Sequence, residues 1–93
     1  MVIAVRSWQL HLPGAHSLKD KRSVIKSMKD RLHNEFNVSV AETGKQDAWQ
    51  TAELTACLVS SDRRHAESVL EKVDRFVEGN PFCRIVDSVT SFL

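Results

Sequence analysis

The hydrophobic residues of this chain repeat at two spacings that alternate along the sequence, and their order limits the folds available to it. A spacing of two, typical of half-buried strands, occupies residues 2–12, 37–43 and 49–60. A spacing of 3.6, typical of a helix with one buried face, occupies residues 18–35. The first sixty residues are therefore predicted to form a strand, a helix and two further strands.

Local signals mark the ends of two predicted helices. Ser17 stands three residues before Asp20, the spacing of an N-terminal capping pair, so the first helix is predicted to begin after Ser17. Either Ser61 or Asp62 can cap a second helix, which the glycine and proline of residues 79–81 end. The apolar stripe of this second helix consists of Ala66, Val69, Leu70, Val73, Phe76 and Val77.

Residues 82–93 alternate poorly and are predicted to form an edge strand. The resulting order, β-α-β-β-α-β, predicts one α+β domain of the ferredoxin-like type over residues 1–93. Right-handed crossovers then place both helices on one face of a four-stranded antiparallel sheet. The expected strand order is 4-1-3-2, with the first and third strands in the centre.

Composition narrows the class of protein. Hydrophobic residues make up 42% of the chain and charged residues 27%, which is close to the average of soluble globular proteins. No apolar run approaches the roughly 18 residues of a membrane span, so we expect no membrane association and a cytoplasmic location. The net charge of +1 hides a division, since residues 1–46 carry eight Lys and Arg against four acids and residues 47–93 carry five against eight.

The residues that usually carry metal or catalytic chemistry are sparse. Cys57 and Cys83 match no metal motif, and the predicted strand order separates them by the first strand, so we expect free thiols. The four histidines contain no H-x-x-x-H pair, and the three glycines form neither a phosphate-binding loop nor a nucleophile elbow. We therefore expect no metal, no cofactor and no enzymatic activity.

Four segments taken together resemble a known family: LHLPGAHSLKDKRSVIKSMKDRL, FNVSVAE, QDAWQ and SSDRRHAESVLEKVDRF. They look like the YlxP-like family of small bacterial cytosolic proteins, a domain of unknown function, and the resemblance covers nearly the whole chain. It implies a ferredoxin-like fold and supplies no catalytic residues. Members are often encoded beside genes for transcription elongation, translation initiation and ribosome maturation, so the resemblance implies a translation-linked, RNA-binding role.

One face of the first predicted helix is basic. At 100° per residue, an arc about 80° wide collects Lys19, Arg22, Lys26, Lys29 and His33. We place Lys21 and Arg31 on the other side of the apolar stripe. Such a row of cations can follow a phosphate backbone. An ordinary solvated face is the alternative, because the helix also carries acidic residues that offset part of the charge.

The start of the second helix is a further candidate for phosphate binding. Arg63 and Arg64 follow Asp62 at a helix N-terminus, where free N–H groups and two guanidinium groups can hold an anion. Asp62 competes for the same N–H groups as a cap, and either arginine can pair with Glu67. Both interpretations remain open from the sequence.

The sheet face turned away from the helices offers a different function. Its expected apolar members are Ile3, Val5, Trp49, Cys57 and Val59. A half-apolar sheet face can bind a second copy of the chain or another protein. Our leading hypothesis is a non-enzymatic accessory of translation or ribosome maturation that binds structured RNA or a ribosomal subunit through the seven basic residues Lys19, Lys21, Arg22, Lys26, Lys29, Arg63 and Arg64. The alternative is a homodimer or protein-binding module that uses the open sheet face.

Overall fold

The computed structural model describes residues 1–93 and contains six elements in the predicted order. They are β1 (Val2–His11), α1 (Leu18–Glu35), β2 (Ser39–Gly44), β3 (Thr51–Ser60), α2 (Arg63–Glu78) and β4 (Arg84–Phe92). The strands form one antiparallel sheet in the order β2-β3-β1-β4, which is the predicted order 4-1-3-2 read from the other edge. The prediction of a ferredoxin-like β-α-β-β-α-β fold is confirmed.

Three strands begin two residues later than the sequence indicated. β2 begins at Ser39, β4 begins at Arg84, and β3 begins at Thr51 rather than at Trp49. β3 depends on its central neighbour for hydrogen bonds, and the last residue pair between the two strands joins His11 to Thr51. Trp49 therefore lies in the connection between β2 and β3.

Alternate residues of the two central strands face the helices and form the core. Their buried side chains include Ala4, Trp8, Leu10, Ala52, Leu54, Ala56 and Leu58. α1 contributes Ile25, Met28 and Leu32, and α2 contributes Ala66, Leu70, Val73 and Val77. The strand parity and the helical stripes predicted from the sequence are thus confirmed.

Arg6 is a charged residue on the helix-facing side of β1. Its guanidinium lies 3.2 Å from the carboxylate of Asp74 on α2, and its Nε donates to Thr90 Oγ1 on β4 at 2.7 Å. The indole nitrogen of Trp8, which is fully buried, donates to the same carboxylate oxygen at 2.7 Å. Asp74 thus satisfies both polar groups that β1 turns toward α2.

Both helices begin at the predicted caps. The Ser17 side chain accepts a hydrogen bond from the Asp20 N–H at 3.0 Å, and the Asp62 side chain accepts one from the Arg64 N–H at 3.3 Å. At the end of the sheet where α1 begins, the Gln50 amide donates to the Ala15 carbonyl at 3.1 Å. This contact joins the β2–β3 connection to the β1–α1 loop.

Neither helix has the length and apolar content that crossing a membrane requires. No group of three His, Cys, Asp or Glu side chains is arranged to hold a metal ion. Cys57 and Cys83 are free thiols. Cys57 lies in β3 and Cys83 directly before β4, and β1 lies between these two strands. Cys83 is buried in the turn before β4, and this burial raises the pKa of its thiol to about 11.

Candidate functional site

The basic face of α1 is exposed along the helix. It comprises Lys19, Arg22, Lys26, Lys29 and His33, of which only Lys29 is half-buried. Three of these residues line a shallow groove of about 340 Å³ between α1 and the edge strand β2. This α1–β2 groove is lined by Arg22, Ile25, Lys26, Lys29, Asp30 and Glu42.

One ion pair lies within the basic face. Lys26 Nζ contacts Asp30 Oδ2 at 2.9 Å, and this hydrogen bond raises the pKa of Lys26 and lowers the pKa of Asp30. Lys19, Arg22 and Lys29 make no ion pair. Four of the five basic residues therefore keep their hydrogen-bond donors free of acidic partners within the molecule.

Lys21 does not belong to the basic face, and our placement of it among the RNA-binding residues was wrong. Its side chain is completely buried, and its Nζ donates to the carbonyls of Lys45 at 2.6 Å and Thr51 at 3.0 Å. On the helical wheel Lys21 falls between the core residues Met28 and Leu32, at the centre of the apolar arc. Its position on the helix, and not its charge, determines that the Lys21 side chain points into the core.

Lys21 also neutralises an acid beneath the groove. Its Nζ lies 2.9 Å from Glu42 Oε2, whose side chain is 15% exposed. Glu42 Oε2 receives no aligned hydrogen bond, so this contact is an electrostatic pair. Because the pair cancels the charge of Glu42, the exposed cations of the α1–β2 groove are offset only by Asp30.

The structure does not bring Arg63 and Arg64 together with the basic face. Arg31, on the opposite flank of α1, lies 5.0 Å from the centre of the Phe76 ring on α2, so the basic face points away from α2. Arg63 pairs with Glu67 at 3.2 Å and stacks on the Phe92 ring at 4.1 Å. Arg64 is exposed.

The open sheet face carries an apolar patch at one end. Ile3 pairs with Val59, and Val5 pairs with Cys57, on adjacent strands. The patch continues through two side chains that the sequence interpretation missed, Val89 in β4 and Leu93 directly after it, which are 64% and 76% exposed. Only the register of β4, an edge strand whose sequence alternates poorly, shows that these two side chains lie beside β1.

Trp49 is not part of this patch, which corrects our assignment of it to the interface. It is 55% exposed, as predicted, but it lies before the first residue of β3, whereas Val59 is near the last. At about 3.3 Å per residue, the length of the strand separates the two side chains by roughly 25 Å. Trp49 therefore belongs to the opposite end of the molecule.

A chain of polar side chains occupies the middle of the open sheet face. The hydroxyls of Ser7 and Thr55 share a hydrogen bond of 2.8 Å, and those of Thr55 and Thr43 share one of 2.7 Å. Glu53 accepts hydrogen bonds from Thr43 at 2.6 Å and from the Gln9 amide at 2.9 Å. These two hydrogen bonds, the one from Thr43 foremost, lower the pKa of Glu53.

A larger cleft of about 660 Å³ opens on the flank of α1 opposite the basic face. It is lined by residues of three separate segments, which are Leu12, Pro13, Gly14 and Ala15, then Asp20, Ser23, Val24, Ser27 and Arg31, and finally Asn80, Pro81 and Phe82. Asp20 lies here, which leaves Asp30 as the acid of α1 that borders the basic face. No sequence motif marks this cleft, because loops far apart in the chain form it.

The fold and the distribution of its charges define a small ferredoxin-like α+β domain with one basic helix flank. The sequence profile of the family described as "Protein of unknown function (DUF503)" matches residues 3–90. The chain belongs to this family. It is 43% identical over 67 residues to the "Uncharacterized protein YlxP" of Bacillus subtilis (strain 168), an alignment that covers 72% of this chain and 73% of that protein. The resemblance to the YlxP-like family is thereby confirmed.

Solved structures with the same architecture include two designed proteins. The "De novo designed protein Foldit4" superposes with a TM-score of 0.57 at 15% identity, over 98% of this chain and 97% of that one. The "De novo designed protein LFR1 1 with ferredoxin fold" superposes with a TM-score of 0.53 at 16% identity, over 100% of this chain and 83% of that one. At these identities the likeness concerns the fold alone.

Proposed function

We propose that this protein binds structured RNA or a ribonucleoprotein through the basic face of α1, as a non-enzymatic, cytoplasmic accessory of translation or ribosome maturation. The link to translation rests on the gene neighbourhood of the YlxP-like family. The RNA contact rests on the charge and geometry of α1.

The proposal rests on one observation: the cations on this flank of α1 are exposed, and most of them have no acidic partner. Charged residues on the surface of a folded domain are commonly offset by neighbours of opposite sign, yet Lys19, Arg22 and Lys29 have no acidic partner. Asp30 is paired with Lys26, and Glu42, the other acid that lines the groove, is paired with Lys21. The flank therefore keeps a local positive charge that the net charge of +1 conceals.

The spacing of these cations suits a phosphate backbone. Successive members of the row from Lys19 to Lys29 are three or four residues apart, which is about 4.5–6 Å along a helix axis. The whole row extends about 15 Å, so it spans several phosphates of one strand. The helix also fixes the backbone positions of the row, which reduces the backbone entropy lost when the contacts form.

The chemistry of the groove favours recognition of the backbone over recognition of bases. No aromatic side chain lines the α1–β2 groove, so the groove provides no surface on which bases can stack. Contacts to phosphates fix position and carry little sequence information. We therefore expect binding to structured RNA with little sequence preference.

The test compares two charge-reversal variants with equal changes in net charge. Arg22→Glu/Lys29→Glu alters the two unpaired cations of the groove, and Lys72→Glu/Arg75→Glu alters two exposed residues of α2 as the matched control. Fluorescence anisotropy with two RNA hairpins of unrelated sequence measures the affinity. We expect the groove variant to weaken binding to both hairpins equally, while the control variant binds as the wild type does.

The dependence of affinity on salt provides a second readout. Loss of two phosphate contacts lowers the slope of log K against log salt by about 1.4 to 1.8, since each contact contributes roughly 0.7 to 0.9. The proposal is wrong if the wild type has no measurable affinity at ~50 mM salt, where such binding is strongest. It is also wrong if both variants lose affinity to the same extent.

The apolar patch of the open sheet face favours a second candidate function, which is self-association by packing of two sheet faces. Val59, which is 66% exposed, lies beside Ile3 in the register of the central strands. Packing of this patch against a second copy removes exposed apolar surface from water. In sedimentation velocity, loss of a dimer on Val59→Asp would support this candidate, and a wild type that stays monomeric at millimolar concentration would exclude it.

A further inference from the structure

The outer edge of β4 carries backbone N–H and C=O groups that pair with no other strand. β4 has nine residues and a single neighbour, β1. An edge strand presents one row of N–H and C=O groups that another strand can pair with. This feature is independent of the basic face, which lies beyond the opposite edge of the sheet.

The register identifies which groups point outward. Ile3 and Leu93 exchange both backbone hydrogen bonds, at 3.0 and 2.8 Å. In an antiparallel ladder such pairs alternate with pairs that make no bond to each other. Because the register continues without a break from Ala4↔Phe92 to Gln9↔Asp87, the N–H and C=O groups of Ser88, Thr90 and Phe92 point away from β1.

The usual protection of an edge strand is largely missing from this one. β4 contains no lysine, proline or glycine, and its charges, Arg84 and Asp87, cancel. Val86 and Val89 are 67% and 64% exposed. Val86 is an extra residue of β4 that has no partner between Gln9 and Leu10 of β1. The stretch from Asp87 to Phe92, which follows this bulge, pairs with β1 regularly.

The other edge of the sheet is better defended against a second copy. β2 has six residues, and its register shifts between Glu42 and Gly44. It also lies beside the cations of the α1–β2 groove. Two copies that approached through β2 would bring two groups of like charge together, which opposes association.

We infer that two copies of this chain associate edge to edge through β4, in antiparallel register about a two-fold axis at Val89. In this register the outward groups of Ser88 on one copy face those of Thr90 on the other, and the axis makes the pairing self-complementary. The two Val89 side chains meet on the open sheet face, where they extend the apolar patch across the axis. The product is one continuous antiparallel sheet built from both copies.

One existing contact must be exchanged when the pairing forms. The outward N–H of Ser88 donates to its neighbour Asp87 Oδ1 at 2.9 Å. Both residues are exposed, so this contact resembles one with solvent, and the carbonyl of the partner's Thr90 replaces it. One hydrogen bond within the chain is thereby replaced by one between the two copies.

The test uses proline to remove an outward N–H without disturbing the ladder to β1. Ser88→Pro deletes a donor that β1 does not use, and proline is tolerated in edge strands at such positions. Ser88→Ala is the matched control, since it keeps the N–H. In sedimentation velocity the proline variant is expected to raise the dissociation constant of the dimer by about tenfold or more, and the alanine variant to leave it near the wild-type value.

Two further variants keep the experiment decisive if the proline variant folds poorly. Val89→Lys places two positive charges at the axis and is expected to give a monomer. Val59→Lys disturbs the open sheet face two strands away and is expected to leave the edge-paired dimer intact. Loss of the dimer on Val59→Lys would assign association to the sheet face, whose apolar patch contains both valines, and would overturn the inference whatever the effect of Val89→Lys.

Hydrogen exchange gives a direct readout of the pairing. The amide of Thr90 points outward and is expected to become protected as the protein concentration rises, whereas the amide of Val89, which faces β1, is protected at all concentrations. A Thr90 amide that stays unprotected in a dimeric sample would overturn the inference, as would a wild type that remains monomeric at millimolar concentration. These two results do not bear on RNA binding, because the basic face of α1 lies beside β2, at the opposite edge of the sheet from β4.

Discussion

Lys21 Nζ lies 2.9 Å from the carboxylate of Glu42 and also donates to the carbonyls of Lys45 and Thr51. These contacts attach the first turns of α1 to β2, to the β2–β3 connection and to the start of β3. The ammonium group thereby has three oxygen partners in a place where water cannot reach it. A buried charge is tolerated only when it is paired and hydrogen-bonded in this way.

We expect Lys21→Met to destabilise the protein by about 3 kcal/mol, the lower end of the range for a broken buried ion pair. The lower end applies because Glu42 keeps some contact with solvent. Urea denaturation followed by circular dichroism measures the change in the free energy of unfolding.

The double variant Lys21→Met/Glu42→Gln is the control, since it removes both charges and leaves none of them unpaired. We expect it to be more stable than Lys21→Met alone, because the penalty of the unpaired carboxylate disappears. A double variant no more stable than the single one would contradict the assignment of the cost to electrostatics.

Asp74 is predicted to stabilise the core through Trp8. Asp74→Ala leaves the indole N–H buried without an acceptor, which costs about 1–3 kcal/mol in the free energy of unfolding. In a Trp8→Phe background, which has no indole N–H, the same substitution should cost less. Glu71→Ala, an exposed acid on the same helix, serves as the control, and equal losses for both acids would rule out the hydrogen bond as the cause.

Glu53 is predicted to make stability dependent on pH in the acid range. Hydrogen bonds from Thr43 and Gln9 lower its pKa in the folded state below the ordinary value of 4.5. Because the pKa is lowered by folding, Glu53 contributes to the free energy of unfolding above pH 4.5. This contribution is lost as the pH falls through the pKa of Glu53 in the folded state. Thr43→Val removes the larger cause, so the pKa of Glu53, followed by NMR titration, should rise toward 4.5.

The stability of the same Thr43→Val variant supplies the complementary measurement. The difference in the free energy of unfolding between wild type and variant should be largest near neutral pH and should shrink at low pH. A difference that stays constant from neutral to acid pH would show that the hydroxyl acts through packing alone.

The two cysteines are predicted to react at different rates. The thiolate is the reactive form, and burial raises the pKa of Cys83 to about 11, so Cys83 is almost entirely protonated at pH 8. Cys57 is partly exposed on the open sheet face. A thiol reagent at pH 8 should modify Cys57 first and Cys83 only after unfolding, and peptide mapping identifies the modified residue. Preferential modification of Cys83 in the folded protein would contradict this burial.

The architecture could be predicted from the sequence because the spacing of the hydrophobic residues is enough to determine it. Alternation along β1 and β3, the stripes of both helices and the caps Ser17 and Asp62 are local signals, and each reappears in the structure. Strand ends were less predictable because they depend on how far a neighbour extends, as the last pair of β1 and β3, His11↔Thr51, shows.

The candidate site was predictable where a residue acts through its own position and not where it acts through distant partners. The helical wheel placed Arg22 and Lys29 on the basic face correctly. We placed Lys21 on the far flank of the apolar stripe because of its charge, although the wheel puts it at the centre of the apolar arc. Its acceptors lie on other elements, and no local pattern indicates them. Val89 joined the apolar patch only once the register of β4 was known.

The central position of β1 governs the order in which this domain can form during synthesis. β1 leaves the ribosome before the other five elements, yet its two neighbours, β3 and β4, follow much later in the sequence. Hydrogen bonds between such distant segments form slowly, because a long loop must close before they are made. Until then the helix-facing side of β1, with Trp8 in its centre, is without cover. The nascent chain therefore exposes the helix-facing side of β1 longest at the ribosome surface, and the time needed to translate the segment from β1 to β4 determines how long this side stays uncovered.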